Sequence, residues 1–188
     1  KTVNVIRKNK KEGKIFTAGV SINNLSLNEN DIGDFKTFLK LSPPLRTEND
    51  RLSLVEAVND GTIDVIVSDH KPEDEESKRL TFAQSATGAA GVETLLPLAL
   101  ELFHNKLIKL DKLISTMTSN PSKILDIKKG SLDIGNEADL CVLDINKPWV
   151  VKKSELKSKS KNTSIENRKL QGQVLKTFVK GQLVFSRT

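Results

Sequence analysis

The chain has 188 residues, 37% hydrophobic and 29% charged, with 30 basic against 24 acidic side chains. That length can bury a core without disulfides or metals and fits one domain or slightly more, and the hydrophobic content excludes a wholly disordered chain. The net charge of +6 is modest, and its densest runs, Lys8 to Lys14 and Lys152 to Lys161, hold no interleaved aromatics, so neither a base-stacking platform nor any nucleic-acid partner is expected.

Residues 2–12 predict a short amphipathic helix with Val3 and Ile6 on its apolar side and Gly13 as its stop. Residues 14–22 predict a strand ended by Asn23-Asn24, and a polar loop runs from Asn28 to Asp34. The apolar stretch Phe38 to Leu41 reads as a second strand, broken by Pro43-Pro44. Asn49 or Asp50 can cap a helix carrying Leu52, Val55 and Val58, which Gly61 stops. A third strand follows at Ile63 to Val67, apolar enough to be covered on both faces, and the alternation is the pattern of an α/β barrel or doubly wound sheet. After an acidic segment from Glu73 to Lys78 and a small-residue stretch from Ala83 to Gly91, residues 93–105 form a strongly apolar helix. Residues 111–119 form another, halted before Pro121. Past Gly130 the period changes to that of strands, at 140–143, 149–151, 174–179 and 183–185, the last two joined by a Lys180-Gly181 turn. The chain therefore divides into an α/β part, 1–129, and a small all-β part, 130–188.

In parallel α/β folds the chemistry lies at the carboxyl ends of the strands. Asn23-Asn24, Ser42-Pro43-Pro44-Leu45-Arg46 and Ser68-Asp69-His70 occupy those ends. Asp69 and His70 suit metal ligation or general-base work. They suit equally a turn cap and a packed loop. His104 reads as a partly exposed helix-end residue, Cys141 as a buried small hydrophobe in a strand, and Trp149 as core of the β part. With no partner for a disulfide, Cys141 fits a reducing compartment.

These pieces, taken in order, resemble the carboxyl-terminal half of a dihydroorotase of the cyclic amidohydrolase superfamily. Ser42 to Arg46 resembles the family's Asn-Pro-Pro-Leu-Arg, and Ser68 to Glu73 resembles Thr-Asp-His-Ala-Pro-His. Asp50-Arg51-Leu52, Asp60 to Asp64, the Gly-rich turn Gly88 to Pro97 and Asn120-Pro121 follow the same pattern. Gly135 with Ala138-Asp139-Leu140, Pro148-Trp149, Lys161-Asn162-Thr163 and Gly172-Gln173-Val174 complete it.

The resemblance implies the last strands and helices of a (β/α)8 TIM barrel followed by a small β-domain; a whole barrel takes about 250 residues. It implies an enzyme of pyrimidine biosynthesis in the cytoplasm, hydrolysing the cyclic amide of dihydroorotate or closing carbamoyl aspartate with the help of zinc. The family's final-strand Asp, a metal holder and proton shuttle, falls on Asp69. A sixth-strand His ligand falls on Asn24, the substrate-binding Asn on Ser42 and the second His of the Asp-His motif on Glu73, so these three depart from the family. The backbone substrate contact of the Gly-rich turn falls at Thr87-Gly88. The first-strand His-x-His, the bridging ligand and the fifth-strand His have no counterpart in this sequence. Two readings stay open: an enzyme, and a non-catalytic dihydroorotase-like subunit that scaffolds aspartate carbamoyltransferase. Lys1 stands where a start methionine would be, so the chain reads as a piece of something longer. On its own it is expected to be inert, to hold zinc poorly, and to occur as a homo-oligomer or with a companion fragment.

Overall fold

The structure, a computed structural model, describes residues 1–187. Helix α1 (Thr2–Lys11) forms as the periodicity predicts, and the chain leaves it at Gly13 with φ 79°. Its basic face is not simply solvated. Arg7 reaches Asp60 at 2.6 Å and Lys10 reaches Asp64 at 2.6 Å, so the helix is pinned across a turn far along the chain.

The expected strand over 14–22 shrinks to β1 (Gly19–Ser21). Ile15 and Phe16 lie exposed before it. Asn23 and Asn24 do not end the strand but sit inside a one-turn helix, α2 (Ile22–Ser26), because the Ser21 hydroxyl accepts from the Asn23 N–H and starts a helix there. Ile22, Asn23, Asn24 and Leu25 are all buried.

The second expected strand is absent. Residues Thr37–Leu39 make a 3-10 turn, and the Lys40 carbonyl is met by the Gly88 N–H instead of by a neighbouring strand. Helix α3 (Glu48–Asn59) is capped by Thr47, two or three residues earlier than Asn49 or Asp50: the Thr47 hydroxyl accepts from the Asp50 N–H at 3.2 Å. Arg51 in that helix binds Glu48 through Nε at 2.7 Å and donates to the Leu25 carbonyl at 2.9 Å, which ties α3 to α2.

Strand β2 (Val65–Val67) pairs with β1 in parallel, Val20 opposite Ile66. These are the two parallel strands among the described residues, where the sequence had led us to expect three. A short helix, α4 (Glu75–Lys78), follows. Helix α5 (Leu95–His104) is the centre of the core, with Leu98, Ala99 and Leu100 fully buried. Helix α6 (Leu110–Met117) breaks at Thr118, but the chain does not leave helix at Pro121. It restarts as α7 (Ser119–Ile124), with Pro121 in the first turn, where its missing N–H leaves no bond unmade.

The remaining strands form an antiparallel sheet, β3 (Leu140–Val150), β4 (Lys169–Val179) and β5 (Gln182–Ser186), in the order β3-β4-β5. The two short strands expected at 140–143 and 149–151 are largely one strand, interrupted by irregular pairing between Asp144 and Pro148. Gly172 of β4 packs against Leu100, an approach too close for any side chain. Val151, Ile165 and Leu170 join the core around α5, and Trp149 packs against it as expected. His104 ends α5 as expected, half-buried, with Nε2 2.9 Å from the Ile145 oxygen. Cys141 is exposed, contrary to its apolar setting in sequence, because this end of β3 faces away from the core.

Candidate functional site

Asp69 lies two residues beyond β2, half-buried, with φ 50°. A left-handed backbone is unusual for a residue other than Gly, Asn or Asp, and here it turns the chain out of the strand. From that point the segment 68–73 runs beside the Gly-rich segment 87–92. His70 pairs with Ala89 in a parallel bridge, and the Lys71 N–H donates to the Ala89 carbonyl at 2.9 Å. Nδ1 of His70 accepts the N–H groups of Gly91 at 3.1 Å and Val92 at 3.3 Å. This nitrogen is therefore an acceptor bound to backbone, with the ring proton on Nε2.

The glycines allow this approach. A Cβ at Gly88 would fall 2.6 Å from the Lys71 carbonyl oxygen, and the residue's φ is 137°.

Asn162, buried at 2% exposure, closes the pair of loops from behind. Its Oδ1 accepts from the Glu73 N–H at 3.2 Å, its Nδ2 donates to the Gly88 carbonyl at 3.2 Å, and its own carbonyl accepts the Ala90 N–H at 3.1 Å. Ser160 adds hydroxyl bonds to Asn162 Oδ1, at 2.7 Å, and to the Glu73 carbonyl. Ser164 donates to Asn23 Oδ1 at 3.0 Å, so the segment 160–164 touches both strand ends.

Four of the residues singled out in sequence thus come together: Asp69, Glu73, Thr87 and Gly88 sit on one zipped pair of loops. Lys71 joins two of them, its ammonium 3.6 Å from Glu73 Oε1 and 3.5 Å from Thr87 Oγ1. Asn24 and Ser42 lie on the adjoining segments. Nδ2 of Asn24 donates to the Pro44 carbonyl at 3.1 Å, and Ser42 is exposed between buried Leu41 and Leu45. The Gly88 N–H, donating to the Lys40 carbonyl at 2.9 Å, connects those segments to the loops.

Sequence reasoning missed the clamping work of Asn162, seen only as a motif, and it missed Lys78 altogether. Lys78 stands in an acidic segment that reads as solvated surface, yet it is 1% exposed. Nothing in its spacing marks it.

As metal ligands the residues are few. Among the described residues no three His, Cys, Asp or Glu side chains converge to hold an ion. Asp69 supplies one carboxylate, Asn24 offers only a neutral amide oxygen while its Nδ2 donates to the Pro44 carbonyl, and Nδ1 of His70 is spent on N–H groups. A zinc site takes three or four protein ligands, so these residues alone do not fit one.

The sequence and the fold of this chain are shared with known proteins. Residues 2–184 match the model of the amidohydrolase family, and the chain belongs to that family. It is 41% identical to the dihydroorotase of Ehrlichia canis (strain Jake) over 185 residues, 98% of this chain and 41% of that one. It is 40% identical to the dihydroorotase of Anaplasma phagocytophilum (strain HZ), again over 98% of this chain and 41% of the relative. Among solved structures, the L-hydantoinase (dihydropyrimidinase) of Arthrobacter aurescens superposes with a TM-score of 0.89 at 29% identity, over 98% of this chain and 42% of that chain. The chain therefore spans about two fifths of the length of the relatives it matches. No described helix is long and apolar enough to cross a membrane.

Proposed function

We propose that the protein is a cyclic amidohydrolase of the dihydroorotase kind, acting in cytoplasmic pyrimidine biosynthesis on dihydroorotate or, in reverse, carbamoyl aspartate. The supporting observation is Asp69, turned out of β2 by its left-handed backbone onto the loop pair that also carries Glu73, Thr87 and Gly88. In this reading Asp69 accepts the proton of the attacking water and returns it to the ring nitrogen as the C–N bond breaks. The Ser42 hydroxyl and the Thr87-Gly88 backbone hold the ring. Glu73 would repel an anionic substrate, and Lys71 beside it offsets that charge. Zinc enters only with the family. These residues do not fit a zinc site alone. We further propose residues 1–129 as the last part of a barrel and 130–188 as strands of a small β-domain, in an assembly with further chain or copies.

The test is hydrolysis of dihydroorotate by the full-length protein. Asp69→Asn is expected to lower the rate by about 10²–10⁴-fold; full activity in that variant would remove Asp69 from the chemistry. Metal analysis of the 188-residue chain alone is expected to find no tightly held zinc, and stoichiometric zinc would show that other residues ligate.

One observation favours a second reading, a non-catalytic subunit that scaffolds aspartate carbamoyltransferase. The residue at a ligand position, Asn24, is buried with its amide bonded to Pro44. Absence of turnover together with co-purification of the carbamoyltransferase would favour it, and turnover would reject it.

A further inference from the structure

Lys78 is a buried ammonium whose hydrogen-bond partners are carbonyls, not carboxylates. Its Nζ donates to the carbonyls of Ala86 at 2.7 Å, Thr37 at 3.1 Å and Lys40 at 3.4 Å. Three N–H donors meet three acceptors, and an ammonium has no more to give. A cation out of water is costly unless such bonds are made, whereas methionine would fill the same space without the charge. The surrounding charges are the Glu73 carboxylate and the ammonium groups of Lys40 and Lys71. Burial lowers the Lys78 pKa to about 8, which leaves it charged at neutral pH.

The carbonyls belong to segments that lead directly into the candidate site. Thr37 and Lys40 precede Leu41-Ser42, and Ala86 precedes Thr87-Gly88. Further bonds draw the same segments together. Lys40 Nζ donates to the Ala83 carbonyl at 2.8 Å and the Ser85 carbonyl at 2.7 Å, and Thr37 Oγ1 donates to the Lys78 carbonyl at 2.5 Å. The ammonium is the common hub.

We propose that Lys78 is a positioning residue: its buried ammonium sets the spacing between the segment bearing Ser42 and the loop bearing Thr87 and Gly88. The inference rests on the reading of those residues as substrate contacts. Lys78 itself touches no substrate.

The experiment compares the full-length wild type with Lys78→Met and Lys78→Arg, by residue-resolved hydrogen exchange and by turnover of dihydroorotate. In Lys78→Met the amides of Ala86 and Gly88, which donate to Ser77 and Lys40, are expected to exchange roughly tenfold faster, while the Ile66 amide in β2 keeps its protection. KM is expected to rise about tenfold with kcat nearly unchanged, since ground state and transition state lose the same placement of the substrate. Lys78→Arg, which keeps the charge, is expected to recover part of both effects. Equal protection of Ala86 and Gly88 in wild type and Lys78→Met would overturn the proposal, as would uniform loosening that includes Ile66. If Lys78→Met does not fold, nitrogen-15 spectra of lysine-labelled wild type decide. A slowly exchanging Lys78 ammonium resonance supports the hub, and an ammonium in fast exchange with water refutes it. If the wild type turns over no dihydroorotate, the proposed function fails while the exchange measurement still judges Lys78.

Discussion

The loops around Asp69 and the β3-β4-β5 sheet are built on opposite terms. The loops carry little apolar surface and are held by buried polar groups: Asn162, Lys78 and the glycines that let backbones touch. The sheet pairs its strands over most of their length, yet every residue of β5 is exposed, and Leu183, Val184 and Phe185 lie open with Val142 and Val179. Regular hydrogen bonding alone does not bury a sheet. A few directional side-chain bonds, by contrast, can hold irregular backbone in one arrangement, because each unmade bond there would strand a buried polar group.

The comparison predicts unequal sensitivity to small changes. The largest effect is expected at Gly88→Ala, where the added methyl meets the Lys71 carbonyl in a backbone conformation that alanine resists. We expect a loss of about 3 kcal/mol, read by urea unfolding, from overpacking and backbone strain together. Stability within experimental error of wild type would mean that the loops are not zipped. Asn162→Ala comes next. It strands the Glu73 N–H and the Gly88 carbonyl, for about 2 kcal/mol, and faster exchange at Glu73 and Ala90 should accompany it.

The pH dependence of Lys78 has a definite sign. The native pKa lies near 8 against 10.5 ordinarily. The unfolded chain therefore holds the proton longer than the native one, and this group adds stability as pH rises from about 8 to 10.5. Wild type should gain on Lys78→Met between about pH 7 and pH 10 in urea midpoints, and a loss would contradict the buried charge. In the sheet, Cys141→Ser should change stability by less than about 0.5 kcal/mol, and Cys141 should react rapidly with thiol reagents. A slow reaction would show that something covers this end of β3.

The long apolar helix α5, the amphipathic α1, the α3 helix and the turn at Lys180-Gly181 were legible because pattern and propensity agree there. The short elements were not. A 3-10 turn at Thr37–Leu39 and a strand look alike over a few apolar residues, and the choice went to whichever partner met the Lys40 carbonyl. The candidate site was legible in its residue types: Asp69, Glu73, Thr87 and Gly88 do share one loop pair. His70 was ambiguous in sequence because accepting from Gly91 and Val92 depends on a loop some twenty residues on.

By itself the sequence determined the α/β character, the family resemblance, the helices whose apolar positions repeat and the glycines at the loop crossing. These follow from local chemistry, since side-chain pattern and backbone freedom belong to each residue. Tertiary structure alone decided that Lys78 is buried, that Asn162 clamps the loops and that Cys141 faces solvent. Burial and hydrogen-bond partners come from segments distant in the chain: Thr37 and Ala86 for Lys78, Glu73 and Gly88 for Asn162. A lysine among acidic residues bears the same local signature on a surface as in a cage of carbonyls.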